Sequence, residues 1–175
     1  MGQNEPSQRD GYMNEEDLRK LLLIGFEYSY LHDDWVNPLK VALAGLTAEQ
    51  VRWRPDEGMG IWDIVLHLAV WNENIVARVS SGEAVRPEEG AWPPLPAVTD
   101  EVAWVGAKKR LWDSLDSVRS MIEATPVPKL LAAPYGPGDL LCRFIHMGYH
   151  IGQITKMREC VAASVGSHGT GGPDR

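Results

Sequence analysis

"RFIHMGYHIGQI", Arg143–Ile154, is the stretch from which the fold can be read. Phe144, Ile145, Ile151 and Ile154 are apolar, and His146 and His150 stand between them. Apolar residues at three- and four-residue spacing mark an amphipathic helix. Its repeat of about 3.6 residues places positions i and i+4 one above the other. The two imidazoles then share a face with Cβ atoms about 5–6 Å apart, near enough to converge on one ion. A helical fold follows, and with it the question of a third ligand.

Outward from this stretch the same period recurs. The helix that holds it should begin near Asp139 and run to about Val165, with Cys142, Ile145/His146, Tyr149/His150, Gln153, Met157 and Cys160/Val161 on its buried stripe. A first helix is expected from Asn14 to Leu43, capped by Asn14 with "EED" in its first turn. Its face is Leu18, Leu22, Gly25, Ser29, His32, Val36, Leu39 and Leu43, and Pro38 should kink it or split it near Asn37. A second runs from Ile61 to Val79, with Gly82 just past its end. A third follows Thr99 and reaches about Ala124, burying Trp104, Leu111, Leu115, Val118 and Ile122. No strand-like alternation competes. Proline-rich connections, "SGEAVRPEEGAWPPLPAV" and "TPVPKLLAAPYGPG", separate the later helices and are long enough for crossovers or pocket walls. The expected division is a disordered 1–13, a helical domain over 14–165 and a glycine-rich, disordered tail over 166–175.

The 175 residues suit one domain with a sizeable core. A net charge of −7 argues against nucleic acid, which wants a basic face; Lys108-Lys109-Arg110 is a short run on a solvated helix face. No apolar run approaches the roughly 20 residues of a membrane span. "MGQNEPSQRDGYMNEED" lacks the apolar core of a signal peptide, and Pro6 stands where a myristoylation signal wants Ser or Thr. The expectation is a cytoplasmic protein. Cys142 and Cys160, on one helix and about 27 Å apart, cannot pair within the roughly 7 Å that a disulfide allows; both are expected to be buried, reduced thiols.

"IWDIVLHLAVWNENI" supplies the third candidate ligand, His67, on an apolar stripe with Ile64, Leu68 and Trp71. A lone histidine there is more often a hydrogen-bonded core residue; three, two of them at chelating spacing, bring a shared metal level with that reading. Three protein ligands suit a site with a position open to water or substrate. Imidazole accepts zinc, nickel, copper or iron, and the residues do not choose among them; a divalent zinc or nickel is the expectation carried forward. The catalytic candidates are Gln153, Asp63 and Tyr149. Gln153, near one turn after His150, could donate to a substrate or a water. Asp63 could orient His67 or act as a base, although at the third helical position after Gly60 it also suits the helix dipole. Tyr149 points near the site, though an aromatic there usually packs in the core. His32 is expected in the core; Glu27 and Glu73 are expected in solvent; His168, in the tail, is discounted. No H-E-x-x-H, C-x-x-C, G-x-S-x-G or P-loop pattern occurs.

"LTAEQVRWRPDEGMGIWDIVLHLAVWNENI" together with "HMGYHIGQITKMRE" resembles the DinB/YfiT-like superfamily of metalloenzymes, from about Leu46 to Arg158. The family's H-L-A-x-W is matched by His67-Leu68-Ala69-Val70-Trp71, and its H-x-x-x-H-x-x-Q-I by His146, His150, Gln153 and Ile154. The resemblance implies an all-α four-helix bundle of up-down-down-up order, commonly a homodimer, with a divalent metal on His67, His146 and His150. Many members carry an acid after the helix-two tryptophan; Asn72 stands there in this chain. Relatives include S-transferases, so transfer of a low-molecular-weight thiol to an electrophile is the leading expectation. Metal-dependent hydrolysis and a non-catalytic stress-response or binding module are the alternatives.

Overall fold

The computed structural model describes residues 13–167 apart from 34, 36, 133 and 135. The expectations for residues 1–12, for Val36 and for His168 with the rest of the tail lie outside the described residues. Among the described residues there are seven helices and no strand: α1 (Glu15–Tyr30), α2 (Leu39–Ala42), α3 (Ala48–Val51), α4 (Ile61–Ser81), α5 (Glu101–Ala124), α6 (Val127–Leu131) and α7 (Gly138–Ser167). No helix among them is long and apolar enough to cross a membrane.

The helix starts follow from local chemistry. Asn14 caps α1, its side chain accepting from Asp17 N at 3.0 Å. At the start of α4, Asp63 Oδ2 accepts from Gly60 N at 2.9 Å, and its other oxygen pairs with Arg54. Glycine is required at position 60, because an added Cβ would lie 2.6 Å from Trp53 O. Gly82 ends α4 at φ 76, the left-handed conformation that glycine adopts freely. The cap of α5 is Asp100, one residue past the expected Thr99, with its side chain accepting from Ala103 N at 2.9 Å.

The first expected helix is corrected. It stops at Tyr30, well before Pro38, and α2 resumes behind that proline. Asp33 and Asp34 would place two acids at a helix C-terminus, against its dipole. Asp, Trp, Val and Asn, which fill positions 33–37, are also weak helix formers, and a residue before proline prefers extended backbone. His32, expected in the core, is consequently exposed beside Glu27 and Tyr28.

The four long helices enclose the core. α4 packs along α5, and each also meets one flank of the α1–α7 pair, α5 against α1 and α4 against α7. Phe26, Leu68, Leu111, Leu115, Ile122 and Ile154 are among its buried residues. Trp104 is locked there, its Nε1 donating to Leu46 O at 2.8 Å. α4 is buried on every side from Ile61 to Val70, as a helix covered by neighbours all round must be. His67 lies inside that stretch.

The burial of α7 is also corrected. Its apolar core residues are Leu140, Phe144, Met147, Ile151, Ile154 and Val161; of the expected stripe His150 and Val161 are buried, whereas Cys142, Ile145, Tyr149 and Cys160 are exposed. Ile145 and Tyr149 are 73% and 62% exposed. Cys142 and Cys160, expected to be buried, are exposed free thiols, because the true stripe passes them on its far side. α7 has apolar residues around most of its circumference at this end, so periodicity alone does not select the buried face.

Candidate metal centre

His67, His146 and His150 come together at the contact of α4 with α7. Their ligating nitrogens all lie within 4.8 Å of one another. His146 Nε2 is 3.0 Å from His67 Nε2 and 2.9 Å from His150 Nε2. The two outer rings are held from behind. His67 Nδ1 donates to Ala91 O at 2.6 Å, and His150 Nδ1 donates to Gln153 Oε1 at 2.7 Å. A carbonyl oxygen can only accept, so both Nδ1 atoms carry the proton and both Nε2 atoms present lone pairs inward. His146 Nε2 faces both and can give a proton to only one of them.

This donor set fits a metal. A neutral cluster leaves at least one pair of lone pairs in opposition, and a cation at the shared point removes the conflict. Nitrogens about 2.0–2.1 Å from a zinc-sized ion in a tetrahedron sit about 3.3 Å apart, close to the spacing seen. The partners behind His67 and His150 are of the kind that fix the tautomer and orientation of a ligating ring. Burial pushes the imidazoles of His67 and His146 down to about 4, helped for His146 by the neighbouring His150 and His67 and opposed for His67 by the Ala91 carbonyl. Burial also lowers His150, against its bond to Gln153. All three are neutral at pH 7, the form that binds metal.

One wall comes from the proline-rich segment between α4 and α5, of a length that suits a pocket wall, through Ala91 and Trp92. Trp92 stacks on His67 at 3.8 Å between ring centroids, with 19° between planes. The loop is pinned at several points. Arg110 of α5 pairs with Glu73 of α4 at 2.6 Å and with Glu89 of the loop at 2.7 Å. Asn74 Nδ2 and Arg78 Nε both donate to Val85 O, at 3.1 and 3.0 Å. Glu73, expected in solvent, thus anchors the loop that carries Ala91 and Trp92. Beside His150 a cavity of about 380 Å³ opens between Trp92, Tyr149, Gln153, Met157 and Met59.

The remaining candidates separate clearly. Gln153 lies in the cavity wall, linking His150 to Tyr149 through a 3.0 Å bond from its Nε2 to the phenol oxygen. Tyr149 is exposed at the cavity mouth instead of packed in the core. Asp63 is committed to Gly60 N and Arg54 at the start of α4. Asn72 faces α5, donating to Ser114 Oγ at 3.1 Å, so it stands away from the imidazoles. Glu27 pairs with Arg119 at 3.1 Å, on the α1–α5 side.

No curated protein and no solved structure matches the chain. A family model does: that of the DinB superfamily, over residues 31–141. His67, its Ala91–Trp92 wall and the Arg110 clamp fall inside the matched region, and the two α7 histidines follow it. By that match the chain belongs to the DinB superfamily.

Proposed function

We propose that the protein is a metal-dependent enzyme that uses His67, His146 and His150 to hold one divalent ion, zinc or nickel, and transfers a low-molecular-weight thiol to an electrophile. One observation carries the reading: three imidazole nitrogens converge at the edge of a cavity, two of them tautomer-locked from behind with their lone pairs inward. A divalent cation with an open position lowers the pKa of a thiol or a water that reaches it. In the transfer the thiol gives up its proton, its sulfur bonds to the electrophilic carbon, and the leaving group departs with the electron pair. Trp92 covers His67 and shields the site from water on that side. Tyr149 accepts from Gln153, which leaves its own O–H free to donate to a leaving group in the cavity. Neither exposed cysteine lines that cavity, so the attacking sulfur belongs to a small co-substrate.

The finer architecture belongs to the same proposal. The contacts of α1, α4, α5 and α7 support a four-helix bundle of up-down-down-up order, with the proline-rich segments as crossovers. The partner is a second copy of the chain. Leu21, Ile24 and Tyr28 on α1 and Leu141, Ile145 and Tyr149 on α7 are exposed and uncharged, on either side of the line where Gly25 meets Phe144. An uncharged face of this kind suits the self-complementary contact of a two-fold dimer. A reducing cytoplasm, where small thiols stay reduced, is the matching compartment.

The test supplies a panel of small thiols with chloronitrobenzene as electrophile, using metal-loaded and metal-free protein. Transfer that depends on metal supports the reading. Equal rates with and without metal for every thiol would remove it. Metal-dependent cleavage of activated esters or amides in place of transfer would favour hydrolysis.

A further inference from the structure

Arg143 stands one helical turn before His146 on α7. Its side chain is only 16% exposed. The guanidinium carbon lies 4.3 Å from the centroid of the Trp71 ring, and Trp71 in turn meets His67 edge-on at 6.2 Å. The group is thus packed against the wall of the three-histidine site. Yet its Nε is buried without a hydrogen-bond partner, and among the described residues no acceptor engages its other donors within hydrogen-bond distance. The nearest carboxylate, Asp139, is 3.9 Å away and is also shared with Arg78, whose Nη1 is 3.4 Å from it. Arg78 is itself buried and spends its Nε on Val85 O. Asp139 thus lies beyond hydrogen-bond distance of Arg143, and the Arg143 fork keeps its donors unspent beside the imidazoles.

A structural role does not account for this arrangement. Buried polar groups are nearly always hydrogen-bonded, and a guanidinium carries five N–H donors in a planar fork. A stack on tryptophan uses the face of the fork and none of those donors. The fork matches a carboxylate or phosphate, which it binds through two parallel bonds.

We propose that Arg143 determines specificity at this site by taking the carboxylate of an anionic substrate, so that the preferred small thiol is a thiol acid. Asp139 and the Trp71 ring position the fork. The inference rests on the thiol-transfer reading for the identity of the ligand, whereas the anion subsite itself does not depend on it.

Two measurements separate the two claims. In the first, cobalt-loaded protein is titrated with 3-mercaptopropionate and with the neutral 3-mercapto-1-propanol, following the sulfur-to-cobalt absorption band. The acid should bind roughly 10-fold or more tightly, the usual effect of a charge-assisted bidentate pair. Arg143→Gln should bring the two thiols to equal affinity, and Arg143→Lys should keep part of the preference. In the second, the Arg143 Nε–H resonance, identified by its absence in Arg143→Gln, is followed in metal-free protein titrated with propionate and with propanol. It should shift and saturate with propionate alone. Circular dichroism of the variants confirms that they are folded. A propionate shift without any cobalt band would sustain the anion subsite and remove the thiol. Equal affinities for the two thiols in the unmodified protein, or a preference that survives in Arg143→Gln, or no propionate shift, would each overturn the proposal.

Discussion

His146 Nε2 lies almost midway between the Nε2 atoms of His67 and His150, at 3.0 and 2.9 Å. No proton arrangement of three neutral rings satisfies both contacts, because the outer rings have their protons committed to Ala91 and Gln153. Elemental analysis of purified protein should accordingly find up to one divalent transition metal per chain. His67→Ala, His146→Ala and His150→Ala should each lose it, whereas His32→Ala, which alters an exposed ring, should not. Full occupancy in His146→Ala would sink the triad.

Gln153 touches the centre only through His150, so its effect should be graded. A partner that fixes a ligating imidazole is typically worth about 10–100-fold in metal affinity. Gln153→Leu should weaken binding by that order in a chelator competition while leaving the helical signal intact. Gln153→Glu, which keeps an acceptor for His150 Nδ1, should recover most of the loss. An unchanged affinity in Gln153→Leu would mean that the 2.7 Å bond has no role in holding the ring.

Removing the metal should loosen the protein without unfolding it. The core of Phe26, Leu68, Leu111, Leu115 and Ile154 is closed without help from the imidazoles. A small finger that folds only with zinc has no such core. Chelator should lower the melting temperature, as loss of any ligand bound to the native state does. The room-temperature circular dichroism should stay largely intact. Its collapse on chelation would make the ion a structural element.

Acid should destabilise the metal-free protein over a defined window. Burial holds His67 and His146 at about 4, below the ordinary histidine value of 6.5. Between those values the unfolded chain binds more protons than the native one, so stability rises with pH there. It should therefore be fully present above about pH 6.5 and fall as pH drops toward 4, with about two protons taken up on unfolding near pH 5. Urea titrations of the chelated protein at several pH values measure this directly. Replacing His67 and His146 with glutamine should flatten the slope, and a slope unchanged by the double substitution would assign it to other groups.

Much of this centre was legible in the residues, for specific reasons. The i, i+4 spacing of His146 and His150 fixes a shared face whatever the tertiary fold. α4 announces itself through Asp63 at its start, Gly82 at its end and an apolar run between them. The end of α1 was harder: its apolar spacing continues past Tyr30 into Leu39 and Leu43, and only the weak helix formers before Pro38 break it. The buried face of α7 was misread because Leu141 and Ile145 are as apolar as Leu140 and Phe144, and packing alone chooses between them. Ala91 and Trp92 could not be found by period or motif. They reach His67 through a loop pinned by Arg110, a contact between residues far apart in the chain.

The exposed face of α1 and α7 gives the last prediction. Ile145 is 73% exposed and Ile24 51%, and Leu21, Tyr28, Leu141 and Tyr149 around them are all open to solvent. Exposed apolar side chains grouped in this way are a common mark of an interaction surface. These six side chains are uncharged, and a second copy would meet them with an equal apolar set. Light scattering should give a dimer at micromolar concentration. Ile145→Arg sets two like charges near each other across a two-fold contact, and Ile24→Arg does so from the other helix. Either should shift the mass to the monomer, with circular dichroism unchanged because both side chains lie outside the core. Val102→Arg, also at an exposed position but on α5, is the control and should remain dimeric. A monomeric unmodified protein, or a dimer unmoved by both arginines, would remove this face from the assembly.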